Sequence, residues 1–167
     1  MKHLIIILLF LSLTVLNAQG IESFEGSWEG ELMAYDGSSS RKITTMQLII
    51  TPADSYGTWN YKMIYGDDDI RNYKLKAVNR DKNKYIVDEG DGIILYQDMF
   101  CSKFISCFET GNSLLVITLE KRKTSLLFEV NAMSVKDKKK SGKGDKDTPF
   151  VYSYPVTGFQ RAVLTKK

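Results

Sequence analysis

The sequence predicts an all-β protein whose strands form an up-and-down antiparallel meander closed into a barrel. Runs of about eight to ten residues alternate apolar and polar side chains with period two, the pattern of half-buried strands. The connections between these runs are short and rich in glycine, asparagine, aspartate and serine, as expected between antiparallel neighbours. No segment shows the apolar stripe of an amphipathic helix. A two-sheet β-sandwich is the alternative arrangement.

The chain begins with a segment that does not follow the strand pattern. It has a positive charge at Lys2, an apolar run from Leu4 to Leu16 and a small residue at Ala18, which is the pattern of a secretory signal peptide. The run is shorter than the roughly 20 apolar residues of a membrane-spanning helix. We therefore predict a cleaved signal peptide over residues 1–18, export to the periplasm or the extracellular space, no integral membrane anchor, and a single β-barrel domain over residues 19–167.

The first four strands are separated by clear turn sequences. A strand near 27–35 is followed by DGSSS, a strand near 42–51 by PADS, a strand near 56–65 by GDDD, and a strand near 69–79 by NRDKN. In the third of these strands one face carries Trp59, Tyr61, Met63 and Tyr65, and in the fourth one face carries Tyr73, Leu75 and Ala77. Strands of this kind bury one face and expose the other.

The remaining strands follow the same rhythm. Strands are predicted near residues 83–88, 91–100, 103–110, 113–122, 124–133 and 156–165, with EGDG and GN among the turns that separate them. A meander of this length avoids an exposed edge strand by closing on itself. Outward rows of lysine oppose a large hydrophobic interface, so a monomer is expected.

The segment from Ser134 to Pro149 differs in composition from the strands around it. It contains six lysines, three aspartates and almost no apolar residue, so it is predicted to be a mobile loop over residues 134–149. It is either a solvated loop or a weak contact for anionic surfaces such as lipid headgroups or polysaccharide. Because no aromatic residues are interleaved with the lysines, nucleic acid is not an expected partner. The lysines concerned are Lys136, Lys138, Lys139 and Lys140.

The chemistry open to this protein is limited by its histidine content. The chain has one histidine, His3, which lies in the predicted signal peptide. A mature protein without histidine excludes a proximal-imidazole haem, a Ser-His-Asp or Cys-His nucleophile and a histidine zinc site. The acidic turns at 67–69 and 88–91 do not match a calcium-binding loop, and aspartate is common in turns for local hydrogen bonding. No metal, cofactor or catalytic residue is predicted.

The two cysteines, Cys101 and Cys107, lie on either side of a predicted bend in MFCSKFISCF. An exported protein meets an oxidising compartment, where two such cysteines could form a disulfide. That bond requires the two Cα atoms to lie within about 7 Å of each other. Two buried thiols, or one reactive thiol, are the alternatives.

The start of the first strand carries a family resemblance. Gly26-Ser27-Trp28 resembles the G-x-W signature of the lipocalins and the wider calycin group, and we expect an exported bacterial protein of this kind. The resemblance implies that Trp28 plugs the closed end of a lipocalin-like barrel. In that group a basic residue from the last strand packs over the tryptophan, and Arg161 is at the matching place in this chain. Trp28 and Arg161 are thus expected to close the barrel rather than to carry chemistry.

Function depends on what lines the barrel interior. The inward faces predicted from strand alternation are aromatic and apolar and carry no carboxylate, so we expect a non-catalytic barrel that binds a small hydrophobic or aromatic ligand or acts through its loops. The alternative function is a carboxylate- or tyrosine-based enzyme with its site at the barrel mouth. A third possibility is that these side chains simply pack against one another. The predicted ligand-binding residues are Trp59, Tyr61, Met63, Tyr65, Tyr73 and Tyr85.

Overall fold

A computed structural model describes residues 20–36 and 39–167, and the predicted signal peptide therefore lies outside the described residues. Ten strands close into one antiparallel barrel in the order β1-β12-β9-β8-β7-β6-β5-β4-β3-β2, which confirms the predicted meander and excludes the sandwich. A separate two-stranded hairpin, β10–β11, lies between β9 and β12. The strands are β1 Gly26–Asp36, β2 Ser39–Pro52, β3 Thr58–Tyr65, β4 Asp69–Asn79, β5 Lys84–Gly90, β6 Ile93–Phe100, β7 Lys103–Thr110, β8 Ser113–Lys121, β9 Ser125–Ser134, β10 Lys139–Ser141, β11 Val151–Ser153 and β12 Val156–Lys166.

The two ends of the barrel differ. Because neighbouring strands are antiparallel, the turns that follow β3, β5 and β7 lie at the same end as the connection from β9 to β12. We call this end the mouth. The other end, where β1 begins and β12 finishes, is called the closed end.

The closed end is filled by side chains around Trp28. A short 3-10 helix, Ile21–Phe24, precedes β1, and the sequence pattern did not predict it. The indole N–H of Trp28 donates a hydrogen bond to the carbonyl oxygen of Phe24 at 2.8 Å. The Phe24 ring packs against Phe104, with ring centroids 5.0 Å apart. The 3-10 helix thus covers the closed end of the barrel.

Strand β1 joins the last strand, β12, and closes the barrel. Trp28 lies opposite Lys166 in this pairing. A Cβ atom on Gly30 would overlap the carbonyl oxygen of Val163, so glycine is required for the close approach of the two strands. The two glycines of GSWEGEL have different roles, because Gly26 instead has a positive φ of 130° that a larger residue rarely adopts.

The position of Arg161 corrects the expectation drawn from the family resemblance. Ala162 and Leu164 are the buried residues of β12, and Arg161 points outward, where its Nε lies 3.6 Å from the Glu129 carboxylate. The cations near the Trp28 ring are Lys121 and Lys166, with their Nζ atoms 4.9 and 5.5 Å from its centroid. The expected Arg161–Trp28 contact is wrong because β12 pairs Arg161 with Met33, near the middle of β1.

The cysteines are both free and exposed. Strands β6 and β7 pair Phe100 with Lys103, so Cys101 lies in the turn between them. Cys107 lies four residues beyond Lys103 on β7, a distance of roughly 13 Å at about 3.3 Å per residue. The predicted disulfide is therefore wrong for this register, because its Cα atoms must lie within about 7 Å of each other. Both cysteines are exposed, so the alternative of two buried thiols is also wrong.

The lysine-rich segment is not wholly irregular. Strand β10 lies within the predicted loop of residues 134–149 and pairs with β11, which follows that loop. Neither strand was predicted, since each is only three residues long and has no apolar face to bury. Across residues 20–36 and 39–167, the structure contains no helix long and apolar enough to span a membrane.

Candidate functional site

A cavity of about 750 Å³ occupies the mouth half of the barrel. A smaller space of about 50 Å³ lies against several of the same residues and reaches Tyr61, Gln97 and Leu119. The barrel is therefore filled at its closed end and hollow at its mouth. The main cavity is lined by Leu32, Ile43, Thr44, Met63, Tyr65, Asp69, Arg71, Tyr73, Glu89, Ile93, Leu95, Phe108, Glu109, Thr110, Leu115, Ile117, Phe128, Val130 and Gln160.

One wall of the cavity is apolar. It is built by the inward positions of β6, β7, β8 and β9, which alternate with outward positions along each strand. Leu95 and Ile117 are partly buried and pack on the core, and Phe128 is fully buried beneath them. A surface of this kind suits the hydrocarbon or aromatic part of a small molecule. Its residues include Leu95, Phe108, Leu115, Ile117, Phe128 and Val130.

The facing wall carries an ion pair at the start of β4. The Arg71 guanidinium binds the Asp69 carboxylate through two hydrogen bonds, Nε to Oδ1 at 3.0 Å and Nη2 to Oδ2 at 2.8 Å. The guanidinium also lies over the Tyr65 ring, 4.8 Å from its centroid. Residues two apart on a strand share a face, which brings Asp69 and Arg71 together on the inward side of β4. The hydrogen bonds from Arg71 lower the pKa of Asp69.

Glu89 lines the cavity from the neighbouring strand, β5. The pairing of β5 with β6 shifts register between Asp88 and Gly90, so Glu89 lies in a β-bulge. Gly90 has a φ of 85°, and its N–H donates to the Asp88 carboxylate at 3.0 Å. Asp88 also forms an ion pair with Lys76 at 2.6 Å, which fixes the bulge from outside. Glu89 faces the cavity because it continues the alternation of the buried residues Tyr85 and Val87 along β5.

Burial changes the acid–base properties of this wall. It raises the pKa of Glu89, although the nearby Arg71 opposes that shift. Burial also raises the pKa of Tyr65 to about 12, and it raises the pKa of Tyr61 and of Tyr73. These tyrosines are protonated at neutral pH, so each hydroxyl can both donate and accept a hydrogen bond. The wall therefore offers donors from Arg71 and the tyrosines beside an acceptor at Glu89.

The structure separates the six predicted ligand-binding residues into two groups. Met63, Tyr65 and Tyr73 line the main cavity, and Tyr61 lines the smaller space. Trp59 and Tyr85 point inward but lie away from the cavity, in the packing of the closed end. Their rings meet edge to face with centroids 6.4 Å apart.

The prediction that the inward faces carry no carboxylate is wrong. Asp69 and Glu89 both line the cavity, and sequence reasoning also missed Arg71. For β4 the sequence signal was available, because Asp69 and Arg71 lie four and two residues before Tyr73 and therefore share its face of the strand. For β5 it was available too, because Glu89 continues the alternation of Tyr85 and Val87, but the predicted strand ended at residue 88. In the part of the chain that the structure describes, no group of three or more potential metal ligands is close enough to hold an ion.

Replacing Glu89 with glutamine is expected to raise the melting temperature at neutral pH. Because burial raises the pKa of Glu89 in the folded state, stability is lost as the pH rises from the unfolded-state pKa through this raised pKa. The variant removes this charge and should melt higher by on the order of 2 °C. The difference should shrink below the ordinary glutamate pKa of about 4.3, where the wild-type side chain is also neutral.

Thermal melts of wild type and Glu89→Gln at both pH values check this expectation. Glu31→Gln is the matched control, since Glu31 is exposed on the outer face of β1 and pairs with Lys42. A variant that melts at or below the wild-type temperature at neutral pH would contradict it.

No family model and no curated protein matches the chain, but solved structures share its fold. One is a protein of unknown function of the DUF3598 family from Nostoc punctiforme, with a TM-score of 0.60 and 9% identity over 88% of this chain and 48% of that chain. Another is the S-type phycobiliprotein lyase from Guillardia theta, with a TM-score of 0.54 and 7% identity over 88% of this chain and 90% of that chain. This chain spans about half the length of the Nostoc protein. At these identities the likeness establishes the calycin-like barrel fold alone.

Proposed function

We propose that this protein is an exported barrel that binds one small amphipathic molecule in its mouth cavity. The observation that carries the proposal is the cavity itself. Its volume of about 750 Å³ falls in the range of roughly 300–1,000 Å³ that is typical of small-molecule sites. The apolar body of the ligand lies against the wall built by β6 to β9, and its polar end lies against Arg71, Glu89, Tyr65 and Tyr73.

The polar wall restricts the chemistry of the ligand. Asp69 already binds two of the Arg71 N–H groups, so much of the positive charge is neutralised within the site. Glu89 supplies an acceptor, and the Tyr65 and Tyr73 hydroxyls supply donors. A ligand whose polar end carries N–H or O–H groups fits this arrangement better than a simple carboxylate.

Titration with the fluorescent probe N-phenyl-1-naphthylamine tests this function. The probe is a neutral aromatic molecule with one N–H donor, and we expect saturable one-to-one binding with a blue shift of its emission. Glu89→Gln should weaken binding by about fivefold, the loss expected when a hydrogen bond to a charged acceptor becomes a neutral one. Glu31→Gln should leave it unchanged. Non-saturable binding, or equal losses in both variants, would overturn the proposal.

A second candidate is catalysis at the barrel mouth. It is favoured by the convergence of Glu89, Tyr65 and Tyr73, whose pKa values are raised by burial, around one cationic group, Arg71. A carboxyl group whose pKa is raised by burial can serve as a general acid or base. One structural neighbour is named a lyase, so this fold is not confined to binding proteins.

The two candidates are separated by following a small-molecule extract of the host with mass spectrometry. Depletion of one compound by wild type, abolished by Glu89→Gln, would favour an enzyme. Enrichment of a compound on the protein without any change in its mass would favour a carrier.

Export is part of the proposal and rests on the leader sequence alone. We expect the protein from its own host to begin at Gln19, after cleavage following Ala18. Intact-mass measurement of the protein in the periplasmic and extracellular fractions checks this. Full-length protein confined to the cytosol would contradict it.

A further inference from the structure

The connection between β9 and β12 projects from the mouth as a hairpin. Its base is fixed by two backbone hydrogen bonds, from the Ser134 N–H to the Pro155 carbonyl oxygen and from the Val135 N–H to the Asn112 carbonyl oxygen, both at 2.9 Å. Beyond this base, β10 pairs with β11, and Lys140 lies opposite Tyr152. Residues 136–157 are exposed along their whole length, so the hairpin does not contribute to the barrel core.

One face of the hairpin combines aromatic rings with lysines. Lys140 lies opposite Tyr152, so their side chains share one side of the hairpin, and ring contacts place Lys138 and Phe150 on that side too. The Lys140 Nζ lies 3.4 Å from the Phe150 ring centroid, and the Lys138 Nζ lies 5.7 Å from that of Tyr152. We call these four residues, Lys138, Lys140, Phe150 and Tyr152, the aromatic–lysine face.

Glycine shapes the tip of this hairpin. A Cβ atom on Gly144 would overlap the Phe150 ring, and Gly144 has a positive φ of 82°. The ring is therefore held by contact with the turn and still remains 48% exposed. Together with the exposed Tyr152, this ring forms a surface patch of the kind that marks interaction sites.

The mouth is electrostatically asymmetric. In the closed strand order, β4 and β5 lie across the barrel from the junction of β12 and β9. The turn before β4 carries Asp67 and Asp68, and the turn after β5 carries Asp91. The hairpin side is basic, because the segment 134–149 has six lysines against three aspartates. An anionic surface therefore attracts the hairpin side of the mouth and repels the side formed by β4 and β5.

We propose that the aromatic–lysine face docks the barrel on a membrane surface that contains anionic lipid. Aromatic side chains settle at the level of the lipid headgroups, and lysines are attracted to the anionic headgroups. The acidic turns on the far side of the mouth are repelled, so the barrel tilts with its β9–β12 side toward the membrane. This contact does not depend on whether the cavity is occupied.

A membrane explains the face better than a nucleic acid does. Single-stranded nucleic acid binds a continuous positive groove lined with stacking aromatics, whereas this face has two lysines and is followed along the chain by the exposed aliphatic residue Val156. Aliphatic exposure beside aromatic rings favours partition into the headgroup region. The face and the apolar cavity lie at the same end of the barrel. Docking through this face therefore brings the mouth close to the membrane, which is a source of apolar molecules.

Sedimentation with lipid vesicles tests the proposal on the mature protein. We expect binding to phosphatidylcholine vesicles that contain about a quarter phosphatidylglycerol, and weak binding to phosphatidylcholine alone. The double variant Lys138→Glu/Lys140→Glu should lose at least about tenfold in vesicle affinity, and Phe150→Ser/Tyr152→Ser should lose a similar amount. High salt should weaken wild-type binding because it screens the lysines.

Matched controls lie at the closed end. Tyr56→Ser and Lys82→Glu change an exposed tyrosine and an exposed lysine that lie far from the hairpin, and they should bind vesicles as wild type does. Probe binding by the hairpin variants in the absence of vesicles should be unchanged, which shows that the barrel is folded. Equal binding of the hairpin variants and wild type, or equal losses in the controls, would overturn the proposal. Tighter binding to a single-stranded oligonucleotide than to the vesicles would also overturn it, in favour of nucleic acid.

Discussion

Leu95→Trp is expected to reduce the affinity for N-phenyl-1-naphthylamine by at least about tenfold, a change of about 1.4 kcal/mol in binding free energy. Leu95 lines both the main cavity and the smaller space beside it. An indole at this position occupies the volume that the aromatic body of a ligand would take. Because the cavity has room for the larger side chain, little overpacking of the core is expected.

The neighbouring residue provides the control for this experiment. Ile94 is exposed on the outer face of the same strand, so Ile94→Trp adds the same side chain outside the barrel. Probe titrations and thermal melts of both variants separate blocked binding from unfolding. If Ile94→Trp weakens binding as much as Leu95→Trp does, the probe does not occupy the cavity.

Trp28→Ala is expected to destabilise the protein by about 3–5 kcal/mol, the cost of removing a large aromatic side chain from a core. Trp28 is only 2% exposed. The substitution removes its hydrogen bond to Phe24 and leaves a cavity beneath the 3-10 helix. Denaturant unfolding measures the effect, and the melting temperature should fall by about 10 °C or more.

Arg161→Ala is the informative comparison, because the family resemblance assigned Arg161 to the same closure. In the structure it forms only a partly exposed ion pair with Glu129. Such pairs contribute at most about 1 kcal/mol. An Arg161→Ala variant as unstable as Trp28→Ala would contradict the observed register of β12.

The fold could be predicted because its determinants are local. Alternation in β3, with Trp59, Tyr61 and Met63 on one face, fixes which side of the strand is buried, and the turn residues fix where each strand ends. The strand β12 illustrates the limit of this reasoning. Its two faces are similar in polarity, so alternation alone could not decide between Arg161 and Ala162 as inward residues. Pairing with β1 settles that choice.

The site was predicted less well than the fold. Met63, Tyr65 and Tyr73 were identified because aromatic and apolar alternation marks an inward face. Glu89 was missed because the predicted strand ended at residue 88, although Glu89 continues the inward alternation of Tyr85 and Val87. Arg71 was missed because a charged residue at a strand end usually faces solvent.

The hairpin shows a different limit. Composition identified the lysines between residues 134 and 149. Composition gives no information on strand pairing, so it could not place Phe150 and Tyr152 on the same face as those lysines. The register of β10 and β11 places the aromatic rings on the same face as Lys138 and Lys140. Short strands without a buried face carry no periodic signal in the sequence.

The central claim is that a small molecule binds in the mouth cavity above the filled closed end. Methyl-labelled NMR of the 19.0 kDa chain during titration with N-phenyl-1-naphthylamine tests it most directly. The account predicts large shifts for the methyl groups of Leu95, Ile117 and Val130, with Ile94 and Val163 on the outer surface unchanged. Shifts confined to the outer surface, or no shifts at saturating probe, would contradict it.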